Sequence, residues 1–338
     1  MKDFSNKTIL SGINPSSSLG LHLGNYLGAV KQHVEIQYKA KKALYFIADY
    51  HSLNTVFDPE MVRSNVYNTY LDYLSFGLEP EKDNVVFFVE SSIPEIAELN
   101  LILNNVVTMG ELGRMHAYKD KFQSGVTEES INHGLFNYPV LMSADILIFL
   151  ADIVPVGEDQ SQHVEMARVI ARHFNNRYGQ ILKEPEVSVN KETARVIGID
   201  GERKMSKSLG NHIPVFAPEE EVRNQIFAVK TDPARIHPTD SGDPKKNVIF
   251  EYMKLLDFDS AKREDFENRY REGRVGDVEI KKAFFEFFME YFGEMRKKYA
   301  EYAADPEKIK NMMKQNNEEA REIAKEVVKN VRKAVGLE

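Results

Sequence analysis

The sequence predicts an α/β protein: a parallel sheet covered by helices on both faces, followed by a mostly helical C-terminal part. Three observations carry this. Short runs of β-branched and other apolar residues in the first part are apolar on both faces, as strands between two helix layers must be. Helix-length segments separate them, which is the crossover that parallel neighbours need. From about Pro214 onward the strand pattern fades and helical periodicity takes over. A length of 338 residues agrees, at roughly 150 residues per domain, with about two domains.

In chain order, residues 8–12 read as a first strand breaking at Gly12, and 43–48 as a second ending in Asp49, His51 and Ser52. Residues 84–89 form a third, ending at Glu90-Ser91-Ser92, and 152–156 a fourth, ending at Gly157-Glu158-Asp159-Gln160. Either 187–189 or 194–199 supplies a fifth. Each strand runs into a polar loop, and parallel sheets bind ligands at the carboxyl ends of their strands. Beyond Pro214, residues 219–228, 248–256 and 280–304 read as helices. The clearest helix is 318–335, with Ala320, Ile323, Ala324, Val327, Val328, Val331, Ala334 and Val335 on one stripe, Glu322–Lys325 and Glu326–Lys329 as i,i+3 pairs, and Gly336 as its stop.

Composition bounds the function. Hydrophobic residues at 42% and charged residues at 28% describe an ordinary globular chain, not a disordered or fibrous one. A net charge of −8 makes the chain a poor general binder of nucleic acid, so such a partner must be met by local basic patches. With zero cysteines there are no disulfides, zinc–thiolate sites or thiol nucleophiles, and no metal centre is expected. The first ten residues lack the apolar core of a signal peptide. Residues 138–157 are apolar for about a membrane width. They contain Asp145 and Asp152, each costing roughly 2.5–3.5 kcal/mol at the centre of a spanning helix. A cytoplasmic protein with no membrane contact is therefore expected.

Three segments carry chemistry. After the first strand, Asn14-Pro15-Ser16 leads through a Ser-rich loop to His22-Leu23-Gly24-Asn25. A strand passing through Gly and Pro into a helix start offers free backbone N–H groups to an anion. His22 and Asn25, three apart, share a face of that helix, and Gly24 lets a ligand lie against the backbone. The second segment, Lys204-Met205-Ser206-Lys207-Ser208 between Gly201 and Gly210, is a mobile basic loop. Its two lysines can place ammonium groups on a polyphosphate and stabilise the charge of its transfer. In the third, Tyr138, Met142 and Asp145 fall at i, i+4 and i+7, one face of a helix. Core helices rarely carry an aspartate on their apolar face. An aromatic ring, a soft thioether and one carboxylate suit a large flat aromatic ligand with a single donor.

The second segment together with Pro15 and His22-Leu23-Gly24-Asn25, about 180 residues upstream, resembles the paired signature of class I aminoacyl-tRNA synthetases. The strings around Met142-Ser143-Ala144-Asp145 and Val154-Pro155-Val156-Gly157-Glu158-Asp159-Gln160, with Ala48-Asp49-Tyr50-His51 and Gly113-Arg114-Met115, resemble tryptophanyl-tRNA synthetases over essentially the whole chain. Departures lie in the loop after Pro15, where Ser-Ser-Ser-Leu-Gly replaces an early glycine, and at Asn14, where many members have Gln.

The resemblance implies a Rossmann-type catalytic domain at 1–212 and a helical domain at 213–338 that reads the anticodon. It implies a homodimer that activates L-tryptophan with ATP and Mg²⁺ and transfers it to the 3′ end of tRNA(Trp). It assigns His22, Gly24, Asn25 and the Asn14–Ser16 loop to ATP, with Gly157, Glu158, Asp159 and Val196 lining ribose and adenine. Lys204 and Lys207, flanked by Met205, Ser206 and Ser208, would hold the phosphates, with Lys119 or Lys121 as a further candidate. Tyr138, Met142, Asp145, Gln160 and His51 would line the tryptophan pocket. His22, Asn25, Lys204 and Lys207 form the catalytic set.

Three other readings compete. A tyrosine-specific relative would want a second polar group beside the carboxylate, because a phenol both donates and accepts. A non-catalytic paralogue would have no use for the two loop lysines. A small nucleotidyltransferase would not need the helical C-terminal part.

Overall fold

The computed structural model describes residues 3–15, 20–115, 132–189 and 196–338. The chain packs as two compact units. One comprises residues 1–18, 33–192 and 305–338; the other comprises 19–32 and 193–304. Residues 196–212 and the His22 helix fall in the same unit as the helices of 219–303, and 305–338 falls in the same unit as the sheet.

The first unit is built on five strands, β1 (Thr8–Ile13), β2 (Lys42–Ile47), β3 (Val85–Val89), β4 (Ile153–Val156) and β5 (Glu186–Val189). Every pairing is parallel and the order is β3-β2-β1-β4-β5. The two alternatives for the last strand resolve in favour of 186–189. Leu10, Leu44 and Val86 stand side by side across the central strands and are buried, as the two-sided apolar pattern requires. Gly12 lies within β1 rather than breaking it. Its missing side chain is filled by the ring of Phe46, which a Cβ would meet at 2.5 Å. Chain connection reverses direction between β1 and β4, so their carboxyl ends diverge and leave a crevice.

The helix Pro306–Val335 closes this unit. The apolar stripe Ala320, Ala324, Val327, Val328 and Val331 is buried in the same core as β1–β4. The helix begins twelve residues before the apolar stripe expected at 318. Asp305 accepts the Lys308 N–H at 3.1 Å, and Pro306 occupies the first turn, where its missing N–H costs nothing. The buried Asn316 interrupts the stripe and hides that start. Its Oδ1 accepts the Phe87 N–H at 2.9 Å, and Asn317 does the same for Val89 at 2.9 Å. Two amides thus satisfy the open edge of β3, which would otherwise present unpaired donors. Asn316→Ala should lower stability by about 1–3 kcal/mol, the cost of a buried unpaired amide. The denaturant midpoint reports this, and an unchanged midpoint would contradict it.

The second unit is helical: Glu219–Phe227, Val248–Leu255, Ser260–Arg271, Asp277–Tyr291 and Gly293–Ala303. Tyr252, Tyr270, Phe284, Phe288 and Phe292 are fully buried among them. The expected helix at 280–304 is two helices, meeting at Phe292 and Gly293. Ser260–Arg271 was not legible, because only Tyr270 is buried and the helix has no apolar stripe. It is held by the Asp259 cap on Lys262 N–H and by Arg263 and Arg271 paired to Glu267.

Candidate active site

A cleft of about 450 Å³ opens in the first unit at the carboxyl ends of β1, β2 and β4, a size typical of small-molecule sites. Gly12 and Asn14 enter from β1, Ala48 and His51 from the end of β2, Val156 and Gln160 from β4, and Tyr138, Met142 and Asp145 from the helix His133–Leu147. The helical spacing therefore does put these last three on one wall. Tyr138 Oη lies 2.7 Å from His163 Nε2, a contact the sequence reading did not foresee. Gln160 Nε2 donates to Asp159 Oδ2 at 2.9 Å. Gly157 allows that fold-back, since a Cβ there would stand 2.6 Å from Asp159 Oδ1. Glu158 and Asp159 are exposed and Pro15 is buried. Ser16, Lys119 and Lys121 lie outside the described residues.

Asp145 is almost fully buried, and its Oδ2 stands 3.0 Å from His51 Nε2. Its Oδ1 has no hydrogen-bond partner among the described residues. A buried acceptor with one spare oxygen, in a wall otherwise made of Met142, Ile146 and Tyr138, is set for a ligand donor. Burial holds the His51 imidazole below its ordinary value against the pull of Glu90 and Asp49. Glu90, the first residue after β3, sits 3.7 Å from His51 Nε2 and was missed as a site residue. Its signal was position: a carboxylate directly after a buried parallel strand.

The second unit assembles the other two motifs. His22 precedes the short helix Leu23–Asn25, pairs as a bridge with Pro214, and is buried. Asn25 Oδ1 accepts the His22 N–H at 3.1 Å, so this side chain secures the turn. The Gly24 N–H points at Met205 Sδ, 3.2 Å away, and a Cβ on Gly24 would press on the His22 ring and on Met205. Gly24 thus admits Met205 to close contact. Burial pushes the His22 imidazole down to about 3, helped by the charges of Lys207, His212 and Lys204. His22 is therefore neutral at neutral pH, and the cationic groups of this site are the lysines.

The base of the basic loop is pinned. Asn211 Oδ1 accepts the Ser206 N–H at 2.7 Å, while its Nδ2 donates to Asp200 Oδ2 at 2.9 Å and to the Lys204 carbonyl at 3.2 Å. Val196 and Met205 are buried, joined by the Met205 N–H to the Val196 carbonyl at 2.9 Å. Ser206 and Ser208 share a hydroxyl contact at 2.9 Å. Lys204 is exposed and Lys207 half-buried.

A parallel sheet of this order, with its cleft at the switch point and a buried histidine motif electrostatically coupled to a two-lysine loop, is the architecture of class I aminoacyl-tRNA synthetases. The chain belongs to the family of class I tRNA synthetases (W and Y), whose model matches residues 3–293. It is 41% identical to a tryptophan–tRNA ligase of Deinococcus radiodurans, over 97% of this chain and 98% of that protein. A tryptophan–tRNA ligase of Fusobacterium nucleatum is 40% identical over 98% of both chains. Among solved structures, a tryptophanyl-tRNA synthetase of Campylobacter jejuni complexed with ADP and tryptophan superposes with a TM-score of 0.87 at 40% identity. That match covers 97% of this chain and 99% of that one.

Proposed function

We infer that this chain is a tryptophan–tRNA ligase: it joins L-tryptophan to ATP as tryptophanyl-adenylate, releasing pyrophosphate, and transfers the tryptophanyl group to the 3′ end of tRNA(Trp). The observation that carries the choice of amino acid is the buried Asp145 oxygen without a partner in an apolar cleft. Indole offers one N–H and nothing else polar, which that oxygen matches. The amino-acid carboxylate attacks the α-phosphate in line, so no protein nucleophile is needed and catalysis is positioning plus charge stabilisation. Gln160 meets the ammonium group. Tyr138, Met142 and His51 enclose the ring. To ATP we assign His22, Gly24 and Asn25 together with Asn14-Pro15, and to its ribose and adenine Gly157–Asp159 and Val196. Lys204 and Lys207 take the phosphates. Mg²⁺ enters with ATP as part of that substrate, since the ammonium groups of this loop are no ligands for a cation. ATP–pyrophosphate exchange with each of the twenty amino acids tests the reading. Exchange driven by tyrosine in preference to tryptophan would overturn it.

The partner assignments are part of the same proposal. The helical part after residue 212 reads the anticodon, with 213–304 as the reading surface. The enzyme works as a cytoplasmic homodimer. Phe57, Leu101 and Met109 are exposed apolar side chains, and among the described residues no helix is long and apolar enough to cross a membrane. With a net charge of −8, tRNA is held by a limited cluster of Lys and Arg. The logarithm of tRNA affinity should therefore fall with the logarithm of salt, at a slope near −0.7 to −0.9 for each phosphate neutralised. A flat salt profile would remove the electrostatic reading.

A further inference from the structure

Behind the Asp145 wall of the cleft two buried carboxylates meet with too few protons between them. Glu90 is fully buried and does not line the cleft; Asp145 is almost as buried and does. Glu90 Oε2 accepts the Tyr50 N–H at 3.0 Å. His51 Nε2 is 3.0 Å from Asp145 Oδ2 but 3.7 Å from Glu90 Oε1, so its hydrogen serves Asp145. Glu90 Oε1 and Asp145 Oδ1 remain, each buried and without another hydrogen-bond partner among the described residues. Neither carboxylate has a Lys or Arg ion-pair partner among those residues. The third acid nearby, Asp49, is committed to the Ser91 N–H and hydroxyl. Among the described residues, the remaining titratable groups at this corner are the Tyr50 phenol and the Tyr138–His163 pair on the far side of His51. Among the described residues one cation at most, His51, therefore faces two carboxylates, and adjacent buried carboxylates cannot both ionise.

We propose that Glu90 is a positioning residue of the pocket: it keeps a proton, donates a hydrogen bond through it to one lone pair of Asp145 Oδ1, and so holds Asp145 ionised with the other lone pair open to the indole N–H. This rests on the tryptophan-pocket reading above and adds the group that prepares it. The division of roles follows from place. Asp145 takes the His51 hydrogen and faces the ligand donor, both of which favour its ionised form. Glu90 is enclosed and has one backbone donor. Burial, followed by the charge of Asp145, pushes the Glu90 carboxyl up to about 9. Burial raises Asp145 as well, so the pair holds one proton and titrates as a unit.

The sign of the pH dependence follows. Between its ordinary value of 4.5 and about 9 the folded protein keeps a proton that the unfolded chain has released. The stabilisation is complete below that lower value and is lost as pH rises through the upper one. Tryptophan capture should fail over the same alkaline limb.

Full-length Glu90→Gln and Glu90→Ala variants are compared with wild type in tryptophan-dependent exchange across pH. Glutamine keeps an N–H donor and removes the titration, so its kcat/KM should stay within a few-fold of wild type near neutrality, without the alkaline fall. Alanine leaves Asp145 unsupported and should raise KM for tryptophan about tenfold, the size of one lost buried hydrogen bond, with KM for ATP unchanged. A glutamine variant as impaired as alanine, or one that keeps the alkaline limb, overturns the proposal. If the alanine variant does not fold, the glutamine profile still decides. A second measurement is independent of the substrate. The infrared carbonyl band of a protonated carboxyl should be present in ligand-free wild type and lost in Glu90→Gln. Its persistence overturns the shared proton, whereas its loss in an enzyme that does not activate tryptophan overturns the pocket reading instead.

Discussion

Replacing Lys207 by alanine lowers the rate of adenylate formation by on the order of 10²–10³, the loss expected when one preorganised charge is withdrawn from a transition state. His22 cannot compensate. Its imidazole is buried and held down to about 3, in part by Lys207 itself, and removing that lysine leaves the burial in place. Lys204 cannot move over freely either, because its carbonyl is fixed to Asn211, which also holds Asp200 and the Ser206 N–H. The loop backbone is therefore fixed while its two lysines supply the charge, and losing one leaves part of the migrating phosphate charge unmatched. Tryptophan KM should change little, since among the described residues no lysine lines the cleft. Pre-steady-state pyrophosphate release reads the effect. An unaltered rate would remove Lys207 from the catalytic set.

How much of this was legible in the sequence differs by element, for physical reasons. The first four strands were, because a strand buried on both faces needs an unbroken apolar run, and such runs are short and bounded by polar loops; the fifth stood between two candidates, since β5 is only partly buried and carries no such run. Their boundaries moved by one residue, as at Gly12, which admits Phe46 into a continuing strand. Periodicity failed where burial was sparse: Ser260–Arg271 buries one side chain and is sustained by its cap and ion pairs. It also failed where a polar residue was buried for a purpose, as at Asn316 in the long helix. The packing of 305–338 against the sheet was invisible, because a stripe of Ala and Val shows that a face is covered but not by what. In the site, helical spacing was enough to align Tyr138, Met142 and Asp145. It could not reveal Glu90 or His163, which reach their partners from 55 and 25 residues away in the chain.

Asp145→Ala should reduce kcat/KM for tryptophan by roughly tenfold to a hundredfold while leaving KM for ATP intact. The first part of that loss is the indole N–H, which would be buried without an acceptor at a cost of about 1–3 kcal/mol, where about 1.4 kcal/mol is tenfold. A second part comes from His51, whose Nε2 loses the partner 3.0 Å away and is left with Glu90. Selectivity should suffer more than rate suggests. Phenylalanine fills part of the same cleft but leaves the Asp145 oxygen unpaired, and a site built around one hydrogen bond can reject the analogue lacking it by roughly 10⁴–10⁵. With the carboxylate gone that penalty disappears, so the gap between tryptophan and phenylalanine narrows from both sides. Asp145→Asn separates this from a structural role. It keeps an acceptor oxygen of nearly the same shape, and should retain more tryptophan activity than alanine and most of the discrimination. If Asp145 only braced His51 and Glu90 within the wall, both variants would lose stability, and neither would change the ratio of the two amino acids in the exchange assay.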